Sequence, residues 1–224
     1  MNGMIPYLIM AGAAVLAALI LTGVLLLRKQ KLRRLGVEGE RQVAAVLRRF
    51  AAIRSFKVMN DVYLPLYDQT TQVDHILIGF FGLLVVETKS YSGAVYGEPK
   101  KKEWLHVIGS QRHRFYNPVM QNQGHIDCIR HLLGKENLYS IQMESLVVFT
   151  RKKAELYLPK GAPVIRLSQL KRFLRQPRFA EDKGYDVEKI YEALKKHQVT
   201  DKKRIAAHAQ NVEAIKSRAS GEKK

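Results

Sequence analysis

The apolar and polar positions along this chain change their spacing several times, and each change predicts an element. From Tyr7 to Leu27 there are 21 consecutive residues without a charge, followed at once by Arg28, Lys29, Lys31, Arg33 and Arg34. As a helix the run is about 32 Å long, enough to cross a bilayer core. No basic residue precedes it, so the positive-inside rule places the amino terminus outside and the rest of the chain in the cytoplasm. A cleaved signal peptide is the rival reading, but Met1–Pro6 lacks the basic n-region it would need. Helical spacing resumes over 36–53, where Val43, Val46, Leu47 and Phe50 form one stripe.

Strand-like runs follow. Phe56 to Leu64 reads as a strand closed by Pro65 and the polar run Tyr67–Thr71. Gln72 to Lys89 reads as a hairpin around a four-residue connection, Gly79-Phe80-Phe81-Gly82. If Ile78 pairs with Leu83, then Asp74 falls opposite Glu87, with their Cβ atoms about 5 Å apart. Lys89 shares that face, because side chains alternate along a strand. Gly93–Gly97 and Glu103–Ile108 are shorter strands separated by a basic turn. Asn117-Pro118 opens a helix as N-cap and first-turn proline, and that helix is expected to end near Gly134. Met143–Thr150 reads as a buried strand, Val164–Leu167 as a short one, and Ser168 as the cap of a helix reaching Gln176. Two polar, basic helices are expected after Pro177. The expected organisation is an anchor with a basic juxtamembrane segment over 1–35, a mixed α/β domain over 36–176 and a basic helical tail over 177–224.

Charge refines this picture. The formal net charge is +18, yet the excess is +8 over 28–58, −1 over 59–150 and +11 over 151–224. The basic flanks suit nucleic acid or anionic lipid. They are equally accounted for by solubility or membrane proximity. Lys100, Lys101, Lys102, Arg112 and Arg114 are candidates for close phosphate contacts. A single cysteine, Cys128, excludes an intrachain disulfide. The histidines show no H-x-x-x-H pair, which argues against zinc. No Walker-type glycine loop is present.

The charged cluster on the hairpin carries the chemistry. A hard cation such as Mg²⁺ or Mn²⁺ takes one or two carboxylates, with water and substrate phosphate completing its shell. Asp74 and Glu87 supply two carboxylates, and Lys89 a nearby ammonium. The bland reading is a cross-strand salt bridge with one carboxylate left solvated. Glu40 shares the apolar stripe of the first helix and reads either as an inward carboxylate or as an exposed first-turn acid.

Beyond this local reading, the spacing resembles the PD-(D/E)XK nuclease superfamily and, more narrowly, the NERD (nuclease-related) domain family. The resemblance is carried by Gly39-Glu40, Val73-Asp74-His75-Ile76, Glu87-Thr88-Lys89 followed by Tyr91-Ser92-Gly93, Trp104, and the helix start Asn117-Pro118 with Gln121, in that order over about 36–150. Val73 stands where the superfamily signature has proline. The resemblance implies a restriction-endonuclease-like mixed sheet flanked by helices. It implies Asp74 and Glu87 as metal ligands with Glu40 as an added acidic group near the metal. Lys89 would activate water or stabilise charge, and Gln121 would orient water or phosphate. The expected protein is a membrane-anchored, cytoplasm-facing, Mg²⁺-dependent nuclease acting on DNA or RNA. Its rivals are a non-catalytic nucleic-acid-binding scaffold that kept the fold and a lipid-surface adaptor built on the basic flanks.

Overall fold

A computed structural model describes residues 5–221; the side chains of 5–15, 17, 18, 213 and 215–221 fall outside the description. The chain divides into two compact units, Met1–Glu38 and Gly39–Lys224. The first helix, α1 (Ile5–Ala52), includes the uncharged run Tyr7–Leu27. No helix among the described residues is long and apolar enough to cross a membrane, so the expected transmembrane span has no structural support. Much of that run carries side chains outside the described residues.

The second unit is a mixed α/β assembly with two mixed sheets. The larger sheet has the order β1 (Lys57–Leu66), β2 (Gln69–Gly79), β3 (Gly82–Lys89), β7 (Met143–Phe149), β9 (Val164–Arg166). Its first three strands are antiparallel, and β7 and β9 continue parallel to β3. The central strand β3 is buried along nearly its whole length, in keeping with the unbroken apolar run of its first five residues, GLLVV. One face packs Val43, Leu47 and Ala51 of α1 with Leu170 and Leu174 of α3 (Leu167–Leu174). The other packs Ile126, Ile129 and Leu133 of α2 (Pro118–Lys135) with Val187, Ile190 and Leu194 of α4 (Val187–His197). The last helix, α5 (Lys202–Gly221), lies against β2, where His208 Nδ1 meets the Thr70 carbonyl at 2.7 Å.

The smaller sheet has the order β6 (Gln111–Tyr116), β5 (Glu103–Ile108), β4 (Gly93–Tyr96), β8 (Ala154–Tyr157). Trp104 and Val95 on its inner face pack against Val147 and Phe149 of β7.

Several boundaries differ from the sequence reading. β1 continues through Pro65, which pairs with Thr70; it is an edge strand, so one side of its backbone needs no ladder partner. The β2–β3 connection is two residues, Phe80-Phe81, because Gly79 and Gly82 themselves pair. Gly82 has φ +111, and a Cβ there would collide with the Gln142 carbonyl oxygen. The α2 helix passes through Gly134 and ends where Asn137 takes φ +58. Arg166, not Ser168, precedes α3, and its N–H donates to Gln169 Oε1 at 2.8 Å.

Candidate active site

The hairpin register is the one expected from the sequence: Ile78 pairs with Leu83 and His75 with Val86. Pairing stops there, one step short of Asp74 and Glu87. Instead of a backbone carbonyl, the Asp74 side chain takes the next amide, Thr88 N–H donating to Oδ2 at 2.7 Å. The β1–β2 ladder breaks at the same level, since pairing passes from Asn60 with His75 to Val62 with Val73, leaving Asp61 and Asp74 unpaired. Asp61 has φ +53. Val73 and Ile76, three residues apart, belong to one core cluster, so the two-residue alternation slips at Asp74. Such local breaks re-aim a side chain at a sheet margin. Here the re-aimed carboxylate reaches the end of β3.

Glu87 points toward α2 and is 2% exposed. Its Oε1 accepts from Lys89 Nζ at 2.6 Å, and Lys89 also donates to Gln121 Oε1 at 3.0 Å. Asn117 sets the phase of α2 that delivers Gln121. Its Oδ1 accepts from the Val119 and Met120 amides, while its Nδ2 donates to the carbonyls of Glu98, Pro99 and Lys101. One turn beyond Gln121 lies His125, buried, with Nδ1 3.0 Å from Thr71 Oγ1. Its Nε2 lies 3.3 Å from Glu87 Oε2, but the contact is misaligned and both atoms remain buried without a hydrogen bond.

The electrostatics follow from this crowding. Burial and the charge of Glu87 raise the Asp74 carboxyl well above its usual range, against the opposing Thr88 amide and Lys89 ammonium. Burial pushes Glu87 up as well, but Lys89 and His125 more than offset it and hold Glu87 at about 2. For Lys89, burial favours the neutral amine, yet Glu87 wins and the ammonium is held above its ordinary value. Glu40 is half-buried and raised by burial and by the negative charges of Asp61 and Glu87, with Lys89 opposing. It reaches this field because Gly39 lets α1 lie close to Ser90 and Thr150 at the ends of β3 and β7.

The structure therefore gathers Asp74, Glu87, Lys89 and Gln121, and places Glu40 within their electrostatic field. It does not bring the candidate basic residues to them. Lys100, Lys101 and Lys102 precede β5 and Arg112 and Arg114 lie on β6, all exposed on the smaller sheet. Lys101 pairs with Glu98 at 2.5 Å and Arg114 with Glu103 at 3.8 Å. Sequence reasoning assigned no role to His125, although its position four residues after Gln121 signals a shared helix face. It assigned no role to His75 either. His75 is buried, 2.8 Å from Asn60 Oδ1 and 3.2 Å from Thr88 Oγ1, directly behind the residue that holds Asp74.

Among the described residues, no three His, Cys, Asp or Glu side chains converge as a ready-made metal cage. The donor set nevertheless fits a hard divalent cation. Asp74 and Glu87 are oxygen donors that repel one another, and Glu87 Oε2 has no hydrogen-bond partner, a combination that positive charge relieves.

A family model described as nuclease-related domain matches residues 35–150. An uncharacterized protein of Bacillus anthracis is 29% identical over 167 residues, covering 75% of this chain and 78% of that protein. No solved structure matches the chain.

Proposed function

The chain belongs to the nuclease-related domain family, within the PD-(D/E)XK-like nucleases, and on that premise we propose that it hydrolyses phosphodiester bonds of DNA or RNA with the help of Mg²⁺ or Mn²⁺. The observation that carries this reading is the meeting of Asp74, Glu87 and Lys89 at the end of β3, with Gln121 fixing the ammonium from α2. Asp74 and Glu87 would hold the cation, which supplies Lewis-acid stabilisation of the phosphoryl oxygens and a more acidic water. Lys89 has two of its three N–H donors committed to Glu87 and Gln121, leaving one for a water or a phosphate oxygen. Because its ammonium form is favoured, Lys89 acts by donating a hydrogen bond and neutralising developing charge, not by taking a proton. Glu40 adds negative charge that favours cation binding over an empty site.

The assay is incubation of the purified chain with single- and double-stranded DNA and RNA in Mg²⁺, Mn²⁺ or EDTA. Metal-dependent cleavage that is lost in Asp74→Ala and Lys89→Ala supports the proposal. Binding without cleavage in any metal turns the reading into that of a non-catalytic nucleic-acid-binding protein. The uncharged run Tyr7–Leu27 with its basic sequel supports anchoring at a membrane, the catalytic unit facing the cytoplasm. Release from membranes by alkaline carbonate would overturn that part. Sedimentation with anionic vesicles after removal of the run would instead point to lipid binding by the basic flanks.

A further inference from the structure

Beside the carboxylates lies a groove of about 680 Å³ between α2 and the turn joining β1 to β2. Its inner wall is Thr71, Gln121 and His125, the layer whose other contacts are Lys89 and Glu87. Gln121 thus belongs both to the groove wall and to the candidate active site, and the two adjoin through it. One feature of it has no packing explanation. Gly124 sits in the middle of α2, where glycine costs roughly 1 kcal/mol relative to alanine. A Cβ there would meet nothing within 4 Å, so the core does not require the glycine; the space it leaves belongs to the groove. At the opposite rim Tyr67 is 97% exposed at the tip of the two-residue turn closed by the Leu66–Gln69 pair, which sets its φ of +51. Tyr116 is half-exposed on the same groove, and its distal end carries Lys135 and His131. The acid at that end, Asp127, is already paired with Arg130 at 2.8 Å.

We infer that this groove binds an unpaired nucleic-acid strand, with a base on Tyr67 or Tyr116 and phosphates toward Lys135, leading the scissile phosphate to Asp74 and Glu87. The inference rests on the nuclease reading and names its substrate class. Open aromatic faces with flanking cations are the usual means of holding single strands without reading their sequence.

The test is fluorescence anisotropy of the full chain in EDTA and about 0.15 M salt, where exposed charges are largely screened. The probes are labelled single strands of oligo-dT and oligo-rU of about 12 nucleotides and a duplex of the same length, within the range of known single-strand sites. The expected result is tighter binding of a single strand than of the duplex. Gly124→Leu fills the groove without touching the core, and Tyr67→Ala and Tyr116→Ala remove the stacking faces. Each should weaken single-strand binding by roughly 5- to 150-fold. The unfolding midpoint of Gly124→Leu should be unchanged or higher. Equal or tighter binding of the duplex, or unchanged single-strand affinity in Gly124→Leu, overturns the inference. Cleavage measured in parallel separates it from the reading beneath it. A chain that cuts duplex equally well with and without Gly124→Leu loses the groove and keeps the nuclease. A chain that cuts nothing, yet loses single-strand binding in Gly124→Leu, keeps the groove and loses the nuclease.

Discussion

Replacing Lys89 with methionine tests whether the charge network is as tightly coupled as its geometry indicates. The side chains of Lys89 and Glu87 are 17% and 3% exposed, and their contact is 2.6 Å. Removing the ammonium strands Glu87 in a site that has already withdrawn it from water. Breaking a buried pair in this way costs about 3–5 kcal/mol. A second route gives a similar size. Glu87 is held at about 2 against an ordinary 4.5, a difference of about 3 kcal/mol in favour of its ionised form. Lys89 is the largest of the groups lowering it. The sign follows directly: a depressed carboxyl stabilises the fold fully above pH 4.5, and that stabilisation is lost as pH falls toward 2. Lys89→Met should remove most of this contribution at neutral pH and flatten the acid limb between those values. The double variant Glu87→Gln/Lys89→Met should recover most of the loss, because no charge is then left unpaired. Urea unfolding followed by the fluorescence of Trp104, the only tryptophan and 1% exposed, measures all of these. A loss below about 1 kcal/mol for Lys89→Met, the scale of an exposed pair, would refute the reasoning. So would a double variant no more stable than the single one.

Two further outcomes follow from the residues around the network. Burial, reinforced by Arg48 and opposed by Glu87, lowers His75 from 6.5 to about 4. The unfolded chain therefore binds this proton first, and stability should fall by about 3 kcal/mol from this group as pH drops from 6.5 to 4, a slope absent in His75→Gln when the two urea series are compared. Gly39→Ala should destabilise by about 1–3 kcal/mol because its Cβ would collide with the Ser90 and Thr150 hydroxyls, which bond each other at 2.7 Å. Gly36→Ala is the matched comparison, since a Cβ there meets nothing within 4 Å and thermal unfolding should show no loss.

What the sequence disclosed and what it concealed divides along local and non-local lines. The β2–β3 register was legible because two glycines between two apolar runs fix a hairpin within twenty residues of chain. The Asn117-Pro118 helix start was legible for the same reason. The strand β6 was missed because Gln111, Arg112, His113 and Arg114 are all exposed at a sheet edge, leaving no apolar alternation to read. β8 was missed because four residues show no period until β4 lies beside them. The slip at Asp74 is equally non-local, since it depends on Asp61 across the ladder taking a left-handed conformation. His125 lay on a readable helix face, but its target, Glu87, is separated from it by three strands of the smaller sheet and the first turns of α2.

The opposition between Asp74 and Glu87 joins stability to function, and Asp74→Asn separates the two. In the wild-type chain the charge of buried Glu87 acts on the partly buried Asp74, and burial with that charge raises the Asp74 carboxyl. Asparagine keeps an oxygen to accept from Thr88 N–H and removes the repulsion, so Asp74→Asn should unfold at higher urea than wild type when no divalent cation is present. The same substitution removes one of the two carboxylates that would hold Mg²⁺. A cation that binds only the folded wild-type chain adds about 2.7 kcal/mol of stability at a concentration 100 times its dissociation constant, and this increment should vanish in Asp74→Asn. The two variants should therefore exchange order across a Mg²⁺ titration of the unfolding midpoint. An equal Mg²⁺ effect in both would place the cation elsewhere. An Asp74→Asn chain less stable than wild type without cation would mean that the Thr88 contact, and not the repulsion, decides the energy of this carboxylate.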